Sequence, residues 1–226
     1  MPFRRFPLML LACSMAGCPL NAEPVNLSRH KSYRLFPAPN YSLTTGASDA
    51  TDLTDGKLCE AADIWWHQET VGWKLRDSVA AYIDIDLETV CNINRIRFHT
   101  TAGKAGIVWP SAIYLYSSCD RKQWSFHGDL LAVTGENLPE TISWDAEEDG
   151  RSQSIKHWIE SDVTMPPSRY VMLAVCSDSL IFCDEVEIWG TPLQEPTGQR
   201  VTDFLEGDKA VQSYTQRLKL AGYLQR

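Results

Sequence analysis

Apolar and polar residues alternate at period two in several separate runs, with turn residues between them and no helical pattern intervening. This narrows the folds open to the chain more than any other feature. Ala81, Ile83, Ile85 and Leu87 fall on one face of such a run, and Tyr82, Asp84 and Asp86 on the other. That is the signature of a half-buried strand. Residues 92–100 repeat it, with Ile96 and Phe98 opposed to Arg95, Arg97 and His99. Ala112 to Ser117 is rich in Tyr, Ile and Leu, and Gln123 to His127 reads as its hairpin return across a polar turn. Arg169 to Cys176 is continuously apolar, as expected for a strand covered on both faces, and Asp184 to Trp189 alternates again. Six or more strands without helices between them predict an all-β sandwich or barrel.

The 226 residues are ample for a buried core, and 44% hydrophobic against 22% charged excludes a disordered chain. No apolar run reaches about 18 residues, which argues against a transmembrane helix. The net charge of −8 disfavours nucleic acid as a partner, since acidic surfaces repel phosphate backbones.

Residues 1–22 read as an export signal, with Arg4 and Arg5 before a short apolar stretch from Phe6 to Ala16. Cleavage after Ala22 gives a secreted or periplasmic protein. A second reading takes Cys18 or Cys13 as a lipidated residue, because each follows a lipobox-like triplet, and the chain is then lipid-anchored at the cell surface. A third is a start codon placed too far upstream. Five Cys remain after the signal (Cys59, Cys91, Cys119, Cys176 and Cys183), and none forms a CxxC pair, which argues against zinc. After a linker near 194–199, Phe204, Leu205, Val211, Tyr214, Leu218 and Leu224 sit near helical spacing, so a short helical tail is expected over 208–222. The polar stretch 135–168 reads as a long loop holding one strand at most.

Acid pairs occur at Asp84/Asp86, Glu147/Glu148 and Glu185/Glu187. Two carboxylates over a cleft suit glycoside hydrolysis, but acids facing outward on a strand are ordinarily solvated. The sequence carries no nucleophile elbow, zinc helix or phosphate loop. The reading is therefore not an enzyme.

An ordered set of motifs narrows the fold further. Asn26-Leu-Ser-Arg opens the domain. Leu53-Thr-Asp-Gly56 precedes Asp63-Ile-Trp-Trp-His67, Val71-Gly-Trp73 and Ile83-Asp-Ile-Asp-Leu87. Pro110 to Ser118 leads to a turn and Trp124, and Arg169-Tyr-Val-Met-Leu173 leads to Asp184-Glu-Val-Glu-Ile-Trp-Gly190. Over residues 25–192 this order resembles the discoidin, or coagulation factor 5/8 type C, domain. That family is a galactose-binding-like jelly roll that includes bacterial carbohydrate-binding modules. Against it, Lys57 to Ala62 looks like an insertion and 135–168 is long.

The resemblance implies a structural Ca²⁺. Asp55 would give a carboxylate, Asp52 and Lys57 carbonyls, and Glu185 beside Asp184 would close the shell. Ile64 stands where the family has a Thr hydroxyl. By the same resemblance Trp66 is the buried Trp, with Trp124 and Trp189 also in the core. Trp65, His67, Arg97, His99 and Trp109 are then candidate sugar contacts, an aromatic face for C–H groups and polar groups for hydroxyls. The implied metal loop also brings Cys59 near Cys183, which raises a disulfide between them. The resemblance implies an exported, non-catalytic module that binds a glycan or polysaccharide. The alternatives are a module that adheres to a cell-surface protein or other surface, and the accessory domain of a truncated glycan-processing enzyme.

Overall fold

The computed structural model describes residues 23–75, 80–134, 138–139, 154–178 and 180–193. The expected export signal with Cys13 and Cys18, the Glu147/Glu148 pair and the expected tail helix over 208–222 lie outside the described residues. Among the described residues nine strands follow in order: β1 Val25–Asn26, β2 Tyr33–Phe36, β3 Val71–Lys74, β4 Ala80–Ala102, β5 Ala112–Ser118, β6 Ser125–Asp129, β7 Ile155–Asp162, β8 Ser168–Cys176 and β9 Leu180–Pro192. Their pairings are antiparallel, and the one α-helix among the described residues is the single turn Leu130–Thr134. The protein is an all-β sandwich, as the alternating runs predicted.

β4 serves both layers. Its first half pairs with β2 and β8, and β5 and β6 continue that layer. Its second half pairs with β7 and β9, and β9 carries β1 and β3 at its two ends. The corner lies between Asp86 and Cys91, where the register shifts. Glu88 there adopts a left-handed φ of 66°, and its N–H is held by Asp86 Oδ1 at 2.8 Å. A short acidic residue that bonds the backbone two positions on is a common way to make such a turn.

The core fills the space between the layers. Ile83, Ile85, Val171 and Leu173 meet Ile96, Phe98, Val186 and Ile188, all buried. The continuous apolar run of β8 is covered on both sides as expected. Val171, Leu173 and Val175 face the core, while Tyr170, Met172 and Ala174 join a second cluster with Tyr82, Tyr116 and Trp124 on the outer side.

That outer side corrects one expectation. Asp84 and Asp86 point away from the core but are not solvated: they are only 6% and 7% exposed. Arg121 covers Asp84, and Arg169 grips Asp86 with bonds of 2.8 and 3.0 Å. Both guanidiniums also lie over the Tyr170 ring, at 4.3 and 5.0 Å.

Candidate functional site

The Asp55-Gly56 turn meets the last strand. Gly56 has φ 78°, which an L side chain rarely adopts. Its N–H donates to Glu185 Oε2 at 3.0 Å. Asp55 turns one oxygen back to the Lys57 N–H at 2.8 Å. Glu185 is 1% exposed, and its Oε1 has no hydrogen-bond partner. Burial, with the neighbouring charges of Asp55, Glu187 and Asp184, pushes its carboxyl up to about 8. Asp52 Oδ2 is likewise buried without a partner, and burial pushes that carboxyl up to about 6. The Asp55 charge bears on both groups.

Orphaned buried oxygens are rare and call for an explanation. A hard cation supplies one. Among the described residues no three His, Cys, Asp or Glu side chains form a metal cluster. An ion here would therefore take much of its shell from backbone carbonyls, as Ca²⁺ does in tight turns. Asp184 has other work. Its two oxygens face the Cys59 N–H at 2.9 Å and His99 Nδ1 at 2.5 Å. Cys59 and Cys183 are separate buried thiols, so the raised disulfide is not formed.

The segment after this turn is pinned across the end of the sandwich. Lys104 Nζ bonds Asp63 at 2.7 Å, and Lys156 Nζ bonds the Cys59 and Ala61 carbonyls at 3.1 Å each. On this segment Trp65 and Trp66 stack, with centroids 4.9 Å apart and planes at 27°. Trp66 is 52% exposed and is not the buried Trp that the motif implied. Trp73 on β3 takes that place at 0% exposure, and its indole N–H donates to the Pro37 carbonyl at 2.9 Å. The turn Ile64–Trp66 buries Ile64 instead of an indole, so both tryptophans stay outside the core. Trp124 is in the second cluster as expected, whereas Trp189 is only half-buried on the outer face of β9.

The five sequence-predicted contacts divide. Trp65 and the exposed His67 lie on the pinned segment. Trp109 lies on the β4–β5 loop that Lys104 ties to it. The Trp109 indole N–H donates to the Pro139 carbonyl at 2.9 Å, and its ring sits edge-on to His157 at 5.9 Å. These three belong to one end of the sandwich. His99 does not open onto it: it is buried, paired with Asp184 and packed on Trp158 at 4.8 Å. Nor does Arg97, which sits on the outer face of the second layer. Glu160 and Glu187 hold its guanidinium, and the Trp158 ring lies 4.0 Å beneath. Sequence reasoning missed Asp63 and Lys104. Their ion pair links residues 41 positions apart, and no local pattern signals it.

No protein-family model and no curated protein matches the chain. Solved structures similar to it include the lectin domain of lectinolysin complexed with Lewis B antigen (TM-score 0.46, 15% identity, 74% of this chain and 97% of that one). Another is a chitosan-binding module from a chitosanase/glucanase of Paenibacillus sp. IK-5 (TM-score 0.41, 14% identity, 74% and 99%). A third is a Streptococcus pneumoniae fucose-binding module (TM-score 0.44, 10% identity, 74% and 95%). The sandwich assignment rests on the strand pairings themselves.

Proposed function

We propose that this chain is an exported, non-catalytic module that binds glycans through the loop end of its sandwich, with one structural Ca²⁺. The observation that carries the reading is the stacked Trp65–Trp66 pair, half open to solvent beside the Asp63–Lys104 ion pair. An indole face packs against the C–H side of a pyranose. Lys104, Asp63 and His67 supply donors and acceptors for its hydroxyls. Two lysines hold this segment, Lys104 from the β4–β5 loop and Lys156 from β7, so little ordering accompanies binding. A single shallow site of this kind implies a Kd on the order of 10 μM to 1 mM.

The non-catalytic part rests on how the described acids are used. Asp84 and Asp86 are each held by an arginine, and Glu187 by Arg97 and Trp189. Ca²⁺ would bind at the Gly56 turn through Asp55, Glu185 and the carbonyls of Asp52 and Lys57. There it would tie the first loop to the last strand. Export, with or without a lipid anchor, rests on the N-terminal segment.

One observation favours surface adhesion as a second reading: Leu58 and Val108 join Trp66 as large apolar residues exposed on this end. A glycan array on the full chain, run against Trp66→Ala, tests the first reading. Glycan binding lost in the variant supports it. No glycan retained by the wild type, together with binding to cell surfaces stripped of glycans, supports adhesion instead.

A further inference from the structure

A groove on the outer face of the second layer lies apart from the loop end. It encloses about 690 Å³ and is lined by Pro24, Asn94, Arg95, Arg97, Asp162 and Trp189. That volume is in the range of small-molecule clefts, about 300–1,000 Å³. The strand register builds its floor. Trp189, Arg95 and Asp162 stand side by side on β9, β4 and β7. Two residues along, Glu187, Arg97 and Glu160 form the next row. Arg97 comes five residues before the end of β4 at Ala102, roughly 16 Å from the loops at 3.3 Å per residue.

We propose that this groove is a second carbohydrate site, taking a short stretch of a neutral polysaccharide chain. Three features point there. Trp189 is half-buried, and its indole N–H is fixed on Glu187 at 2.9 Å, so the ring is a positioned platform and not a loose side chain. Around it stand an amide (Asn94), a carboxylate (Asp162) and an exposed guanidinium (Arg95), which together offer donors and acceptors to hydroxyls.

The charges are the second feature. Arg95 bonds Glu160 at 2.7 Å, and Arg97 is shared by Glu160 and Glu187. With Asp162, two guanidiniums face three carboxylates. The floor is thus close to neutral and slightly acidic, which disfavours uronates, sulfated sugars and phosphates. The third feature is the backbone. At the centre of the floor β4 is paired on both sides, with β9 and with β7, so its amides and carbonyls are engaged in the ladder and a ligand lying across it meets side chains. This site is independent of the loop-end reading.

The test is affinity electrophoresis of the full chain in gels containing a β-glucan, a xylan, a galactan or polygalacturonate. The proteins are the wild type, Trp189→Ala, the double variant Asn94→Ala/Asp162→Ala and the loop-end variant Trp66→Ala. Both double-variant positions are exposed, so that protein keeps its fold even if loss of Trp189 disturbs the face. The expected result is retardation of the wild type by at least one neutral polysaccharide, weakened about tenfold or more in both groove variants, and none by polygalacturonate. Trp66→Ala retarded like the wild type assigns the effect to the groove and keeps the two sites distinct. Groove variants that migrate like the wild type in every gel overturn the proposal while leaving the loop end standing. A wild type retarded by no neutral polysaccharide overturns it as well.

Discussion

The Arg121 guanidinium stands 3.1 Å from the Asp84 carboxylate on the outer side of the first layer, with both side chains almost fully removed from water. A buried pair is strongly destabilised when one partner is lost, by about 3–5 kcal/mol, because the other charge is stranded. Burial is the main influence on Asp84 and pushes its carboxyl up to about 6, against the pull of Arg121 and Arg34. A carboxyl raised in the folded state adds stability below the ordinary value of 3.8, and that stability drains away as the pH rises through about 6. Arg121→Met should therefore cost more at pH 7.5 than at pH 4.5, where Asp84 can take up a proton. Urea unfolding at the two pH values measures the difference; equal costs would mean that the pair does not carry this charge.

Calcium should raise the melting temperature. An ion bound only by the folded state contributes about 2.7 kcal/mol at a hundredfold excess over Kd. For a domain of this size that is roughly 5–10 °C. Asp55→Ala and Glu185→Ala should each lose most of the shift, because a hard-cation site depends on its carboxylates. Thermal melts in calcium and in chelator decide it. Identical wild-type curves after complete metal removal would leave Asp55-Gly56 as a turn alone.

The tryptophans should separate into two classes by stability. Trp73→Ala removes a fully buried indole and should cost about 3–5 kcal/mol. Trp66→Ala trims an exposed ring and should stay within about 0.5 kcal/mol of the wild type. Denaturant midpoints read both. A large loss from Trp66→Ala would return that residue to the core.

Gly190→Ala should weaken the pairing of β4 with β9. A Cβ there would lie 1.9 Å from the Asn92 carbonyl oxygen, a backbone atom of the neighbouring strand that cannot turn aside. The expected cost is about 3 kcal/mol, at the upper end of overpacking effects. Gly128→Ala is the contrast: nothing lies within 4 Å of its Cβ, although φ is 100° and the backbone alone is strained.

Of the five described thiols, Cys119 is exposed and should be alkylated first in the native protein. Burial pushes the Cys59 and Cys183 thiols up, so they should react only on unfolding. Mass spectrometry of partly labelled protein gives the order. A bridge between Cys59 and Cys183 in protein from an oxidising compartment would contradict the separate thiols.

Strand positions were legible because period-two alternation reports burial directly, as at Ile83 and Ile85 or Val186 and Ile188. What the outer faces do was not. Asp84 and Asp86 look solvated in sequence, since Arg121 and Arg169 reach them from 37 and 83 positions away. The Trp65-Trp66 pair was legible as a motif, but the turn that buries Ile64 and leaves both indoles outside the core was not. Arg97 and His99 share the alternating pattern of any outward face. Their partners Glu160, Trp158 and Asp184 come from β7 and β9, strands that only the tertiary register sets beside β4.

β4 supplies an inner strand to each layer through one unbroken run of backbone. Neither layer is then a separable folding unit, because opening one strips the other of its middle strand. The amides of Ile83 and Phe98, one in each layer, should exchange with solvent through the same global event. The corner at Glu88 is where that coupling is covalent. A cut there would convert the module into two fragments that must find each other to regain either sheet.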